Sequence, residues 1–170
     1  MSHTVTQEVE AYAARCGYDF HDEWENLPIS GLFFRSRAHV MFRDVLDARG
    51  ETPPFISARV QARGRLRQQV TVVVLPLRRP VPNMILQGKQ QSIFSKLGIA
   101  MNESQKLALE GDFNSYFTLY CPNGYERDAL YVFTPDVMAK MIDAYGVTDI
   151  EFVDDRLLLY APLDAFYSSG

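Results

Sequence analysis

The clearest pattern along the chain is an alternation. Ile56, Ala58, Val60 and Ala62 alternate with Ser57, Arg59, Gln61 and Arg63, the period of a strand with one apolar and one wetted face. A second apolar run, Leu66 to Leu75, follows just after Gly64. Side-chain parity decides how the two runs meet. A two-residue turn at Arg63-Gly64 would carry Arg65, Arg67 and Gln69 onto the apolar face, whereas a three-residue turn, Arg63-Gly64-Arg65, keeps them off it. The longer turn predicts Ala62 opposite Leu66, Ala58 opposite Val70 and Ile56 opposite Val72. Arg59, Gln61, Arg67, Gln69 and Thr71 then share the outer face.

Helical spacing appears at both ends. Thr4 with Gln7 forms a capping-box pattern ahead of Val5, Val9, Tyr12 and Cys16, and Gly17 supplies the stop. Near the other end, Thr134 caps a run that has Pro135 at its first position and Asp136 in its first turn. Val137, Met138, Met141, Ile142 and Tyr145 make its apolar stripe, and Gly146 ends it. Short strands are expected within 18–34, from Phe33 to Val45, at Met84-Ile85-Leu86, from Phe113 to Cys121 and from Ala129 to Phe133. A closing hairpin joins Ile150–Val153 to Leu157–Tyr160 around Asp154-Asp155. Residues 88–105 are polar and read as a loop or a poorly packed helix. The fold class is therefore α+β: a predominantly antiparallel sheet with an N-terminal helix and one C-terminal helix packed on the strands. It forms a single domain over 1–170, with a candidate lobe boundary within 88–105.

Composition narrows the class of protein. Of 170 residues 47% are apolar, and 11 Phe with 9 Tyr need an interior, which excludes a disordered tail. Two cysteines exclude a disulfide scaffold; Cys16 and Cys121 are expected to be buried thiols in a reducing, cytoplasmic setting. The longest apolar stretch, Val70 to Leu77, is far short of the roughly 20 residues a membrane helix requires. The net charge of −4 hides an asymmetry. Residues 1–100 hold 13 Lys or Arg against 9 Asp or Glu, and residues 101–170 hold 4 against 12. Such a split concerns partners rather than fold.

The C-terminal segments Leu109-Glu110-Gly111-Asp112-Phe113-Asn114, Tyr116–Tyr120, Gly124–Leu130, Phe133–Met138 and Asp154–Tyr160 together resemble an uncharacterised bacterial domain family, the DUF3137-like group, over residues 105–161. In that group a strand carrying a Phe-Asn pair precedes an alanine, a Thr-Pro helix start and a final hairpin. The resemblance implies a bacterial protein of that domain type. It brings no catalytic residues, and membrane-spanning helices precede the domain in many of its members.

Arg59, Arg63, Arg65 and Arg67, with Arg78 and Arg79 further on, are the sharpest chemical feature. They suit phosphates of nucleic acid or anionic lipid. The face offers Gln and Thr where a nucleic-acid sheet would offer aromatics, so an edge hairpin protected by charge, or a surface meeting the acidic second half, is the plainer reading. Glu110, Asp112, Glu126 and Asp128 flank turns, where acids are ordinary. Asn114 and Arg127 interrupt aromatic-rich segments and are expected to be buried and structurally bonded. Trp24 is either a partner anchor or the edge of the core. His3, His21 and His39 stand singly, and no nucleophile, metal or phosphate-loop motif occurs. The sequence therefore points to a non-enzymatic interaction or adaptor domain without cofactor, which self-associates or binds a protein partner. A polyanion binder acting through the Arg59/Arg67 face is the alternative.

Overall fold

The computed structural model describes residues 4–35, 40–62, 69–143 and 147–162. Helix α1 (Val5–Cys16) starts behind Thr4, whose hydroxyl accepts from the amide of Gln7 while the Gln7 side chain accepts from the amide of Thr4. Gly17 closes it at φ 74°, a left-handed conformation that glycine adopts without steric cost. There follow β1 (Asp19–Trp24), α2 (Leu32–Arg35), β2 (Val40–Asp47), β3 (Ile56–Ala62), β4 (Gln69–Pro76), β5 (Met84–Gly88) and α3 (Ile93–Lys96). The chain continues through β6 (Lys106–Leu107), β7 (Phe117–Tyr120), α4 (Glu126–Val132), α5 (Pro135–Asp143), β8 (Asp149–Val153) and β9 (Arg156–Pro162). The nine strands form one sheet in the order β1-β2-β3-β4-β9-β8-β5-β7-β6, with antiparallel neighbours. The closing hairpin β8–β9 inserts at its centre and joins the β1–β4 meander to the β5–β7 half.

In the β3–β4 hairpin Ile56 faces Val74, Ala58 faces Val72 and Val60 faces Val70. This register is two residues away from the one the three-residue turn predicts. Parity explains both the error and its harmlessness: a shift of two leaves every side chain on its expected face, so the face pattern alone does not fix the length of the loop. The turn itself lies outside the described residues.

Alternate positions of the central strands feed two cores. On one face Val60, Val70, Val72, Leu158 and Tyr160 pack with Phe33 of α2 and with Ile93 and Phe94 of α3. On the other, Met84, Leu86, Leu119, Ile150 and Phe152 pack with Phe113, with Ala129 of α4 and with Met138, Met141 and Ile142 of α5. Three local expectations need correction. The segment Ala129–Phe133 is helical through Val132 and not a strand: its buried residues, Ala129 and Phe133, stand four apart, one helical turn. Phe33 and Phe34 lie in α2, and β2 begins only at Val40. Cys16 is exposed, because α1 fully buries only Ala13, while Cys121 is buried.

Residues 88–105 also differ from expectation, since α3 buries Ile93 and Phe94 almost completely. Its anchor is Asp149, fully buried on β8. That carboxylate accepts from Ser92 Oγ at 2.7 Å, the Ile93 amide at 2.7 Å, the Phe94 amide at 3.3 Å, the Gly88 amide at 3.3 Å and Thr148 Oγ1 at 3.1 Å. Two residues further along the same strand, buried Glu151 does the equivalent for α2. It accepts from the Leu32 amide at 2.6 Å and from the Tyr160 hydroxyl at 3.0 Å. Gly31 is pressed so close that a β-carbon there would lie 2.6 Å from Glu151 Oε2.

Burial pushes both carboxyls above their ordinary range, and the hydrogen bonds they accept only partly oppose it. A raised carboxyl holds more protons in the folded than in the unfolded chain, so stability is highest below the ordinary value of 4.5 for Glu151 and falls as pH rises through its folded value. Glu151→Gln removes that dependence. The stability gap between native protein and variant, read from urea midpoints, is expected to shrink between about pH 4 and about pH 8. A gap that widens with pH would contradict the assignment.

Candidate functional site

Among the described residues the outer face of the β1–β4 half has no counterpart to α4 and α5: α1 alone lies over it, and the seating is incomplete. Between helix and sheet runs a cleft of about 470 Å³, walled by Val5, Val9 and Tyr12 above and by Leu46 and Val73 below, a volume within the usual range for small-molecule sites. Ser57, Arg59 and Thr71 face into it by strand alternation, and Glu8 and Arg15 reach it from the helix.

Its polar floor comes from an irregularity in β2. Arg43 pairs with Arg59, but Leu46 pairs with Ser57, so β2 carries one residue more than β3 across this interval. Asp44 takes up the extra length at φ 49°, a left-handed conformation that Asp tolerates better than most side chains. Val45 thereby packs into the core cluster under α2 and α3 while Asp44 and Leu46 line the cleft. Asp44 is only 4% exposed. Its Oδ2 forms an ion pair with Arg59 Nη2. The same guanidinium donates to Gln69 Oε1 at 3.4 Å and to Thr6 Oγ1 at 3.5 Å. Both carboxylate oxygens of Asp44 and the Arg59 Nε are buried without a hydrogen-bond partner, Oδ2 being held to Arg59 by the ion pair alone. Unsatisfied buried groups of this kind are rare enough to require an explanation.

Of the arginines singled out from the sequence, Arg59 is in the cleft, with its charge compensated by Asp44. Arg63, Arg65 and Arg67 lie outside the described residues. Arg78 and Arg79 are exposed between β4 and β5. Asn114 is half-buried and ties the turn before β7, accepting from the Leu109 amide at 3.0 Å and donating to the Leu109 carbonyl. Arg127 is exposed, contrary to expectation, because helical α4 turns it away from the Ala129–Phe133 side. Glu126 accepts from the Gly124 amide at 3.1 and 3.0 Å and so closes a turn; Glu110, Asp112 and Asp128 are exposed. Trp24 packs at the edge of the core with the Arg49 guanidinium 5.8 Å from its ring centre. Among the described residues no group of three or more His, Cys, Asp or Glu side chains is placed to hold a metal ion.

Sequence reasoning missed Asp44. The signal was present: Phe42 and Val45 belong to the same core although three residues apart, a break in period-two alternation that only an inserted residue reconciles.

The architecture is thus an antiparallel α+β sheet protein with a helix-covered cleft on one half. It is similar to the solved structure of the mycobacterial trehalose monomycolate transport factor A, TtfA, at 14% identity and a TM-score of 0.67, over 97% of this chain and 87% of that one. At this identity the likeness is one of fold. No family model and no curated protein matches the chain. Among the described residues no helix is long and apolar enough to cross a membrane.

The Asp44–Arg59 pair has a testable energetic signature. Arg59→Met leaves a buried carboxylate without its counter-charge and is expected to cost about 3–5 kcal/mol in urea unfolding, while Asp44→Asn combined with Arg59→Met recovers most of the loss. A single-variant cost within about 0.5 kcal/mol would show a solvent-screened pair instead.

Proposed function

We propose that this chain is a non-enzymatic binding module that holds the apolar part of an amphipathic molecule in the cleft under α1, and serves as a carrier or adaptor for it. The observation behind this reading is the cleft's composition: aliphatic and aromatic walls from Val5, Val9, Tyr12, Leu46 and Val73 around a single buried ion pair. Pockets of this make-up gain affinity from apolar contact and orientation from a few placed polar groups. The structure of similar fold is described as a transport factor.

The arginine face invites comparison as a polyanion site. Arg59 contributes little to such a surface, because Asp44 cancels its charge at close range. Phosphate binding would have to rest on Arg63, Arg65 and Arg67.

Dodecyl maltoside below its micellar concentration is a suitable probe. Titration followed by calorimetry is expected to saturate at one molecule per chain, and Val73→Trp, which fills the cleft, is expected to weaken binding by about tenfold or more with the circular dichroism spectrum unchanged. Absence of saturable binding, or binding indifferent to Val73→Trp, would overturn the reading.

A further inference from the structure

We infer that the Asp44–Arg59 pair is a subsite for a neutral, hydroxyl-bearing headgroup of the sugar or polyol type. The inference deepens the amphiphile reading and rests on it for the apolar part of the ligand.

Three buried atoms of the pair make no hydrogen bond: Asp44 Oδ1, Asp44 Oδ2, which only ion-pairs with Arg59, and Arg59 Nε. Asp44 Oδ1 is an acceptor without a donor, and Arg59 Nε is a donor without an acceptor, in side chains that already form an ion pair. One chemical group answers both needs: a hydroxyl, which donates to the carboxylate and accepts from the guanidinium. Two neighbouring hydroxyls do so with less strain, one facing each atom. A carboxylate or phosphate supplies acceptors only and would meet the buried negative charge of Asp44. An ammonium supplies donors only and would meet Arg59.

The surroundings agree. Ser57 and Thr71 line the cleft, and the Thr6 hydroxyl accepts from Arg59. The ionisable groups lining it comprise Glu8 and Asp44 against Arg15 and Arg59, so the opposite charges are equal in number. A site with balanced charge and exposed hydroxyl partners selects a neutral polar ligand. Access requires α1 to shift outward. That helix buries only Ala13 completely, and little apolar packing opposes the shift.

The experiment compares probes that share a twelve-carbon chain: dodecyl maltoside, dodecylphosphocholine and dodecanoate, each below its micellar concentration, together with maltose alone. The native chain is expected to bind the maltoside about tenfold more tightly than dodecanoate, the scale of one charge-assisted hydrogen bond. Asp44→Asn, which keeps a side chain tolerant of left-handed backbone, is expected to erase that preference. Arg59→Gln, a second variant that retains a donor, is expected to reduce it. Maltose at millimolar concentration is expected to shift the backbone amide resonances of Asp44 and Arg59 in the native chain alone. Equal or tighter binding of dodecanoate, or a preference that survives Asp44→Asn, would overturn the subsite while leaving amphiphile binding in place. Maltose shifts without binding of any chain-bearing probe would uphold the subsite and overturn the amphiphile reading. No response to any probe would overturn both.

Discussion

A nine-stranded sheet has two faces to keep from water, and the short helices of this chain cover them unequally. One face is closed by α2 and α3, and the β5–β8 half of the other is closed by α4 and α5. Over β2–β4 α1 is the only cover among the described residues, and it sits on a face whose strands present Ser57, Arg59 and Thr71 between apolar neighbours. The Asp44–Arg59 pair is already withdrawn from water, and seating α1 fully would also press the half-buried Ser57 and Thr71 against hydrocarbon, which is unfavourable. The cleft follows from that constraint.

The same chain shows how acids become tolerable inside a sheet. Asp149 and Glu151 stand two apart on β8 and therefore share a face, where each takes the free backbone amides at the start of a short helix. Helices of four residues have little stability of their own. Here a carboxylate supplies the missing partners and fixes α2 and α3 against Tyr160. Asp44 differs in kind. It shares the ion pair with Arg59, but neither of its buried oxygens accepts a hydrogen bond. Fold-organising acids are satisfied within the chain, and this one is not, which is why it marks the site.

Much of the architecture was legible in the sequence where periodicity was long or capping was explicit. The alternation through Ile56 to Ala62 and the closing hairpin at Asp154-Asp155 identify strands on their own. Short segments were less legible. Phe33-Phe34 and Ala129–Phe133 are too brief for period two and period 3.6 to be told apart, and tertiary contacts decide them. The polar stretch 88–105 hid α3 because its anchor, Asp149, lies 57 residues from Ser92 along the chain. Parity fixed the outward direction of Arg59 but was blind to the partner that neutralises it, since Asp44 reaches the cleft only through a one-residue irregularity in β2.

The fold, the unequal cover of the sheet and the orphaned carboxylate all place ligand binding in the α1 cleft on the reading proposed above. Amide hydrogen exchange on the whole chain, with and without dodecyl maltoside, tests it most directly. Added protection confined to residues 5–16 and to β3 and β4, with α3 and α4 unchanged, is the predicted result. Protection that appears at α4 and α5 while α1 exchanges as before would contradict it.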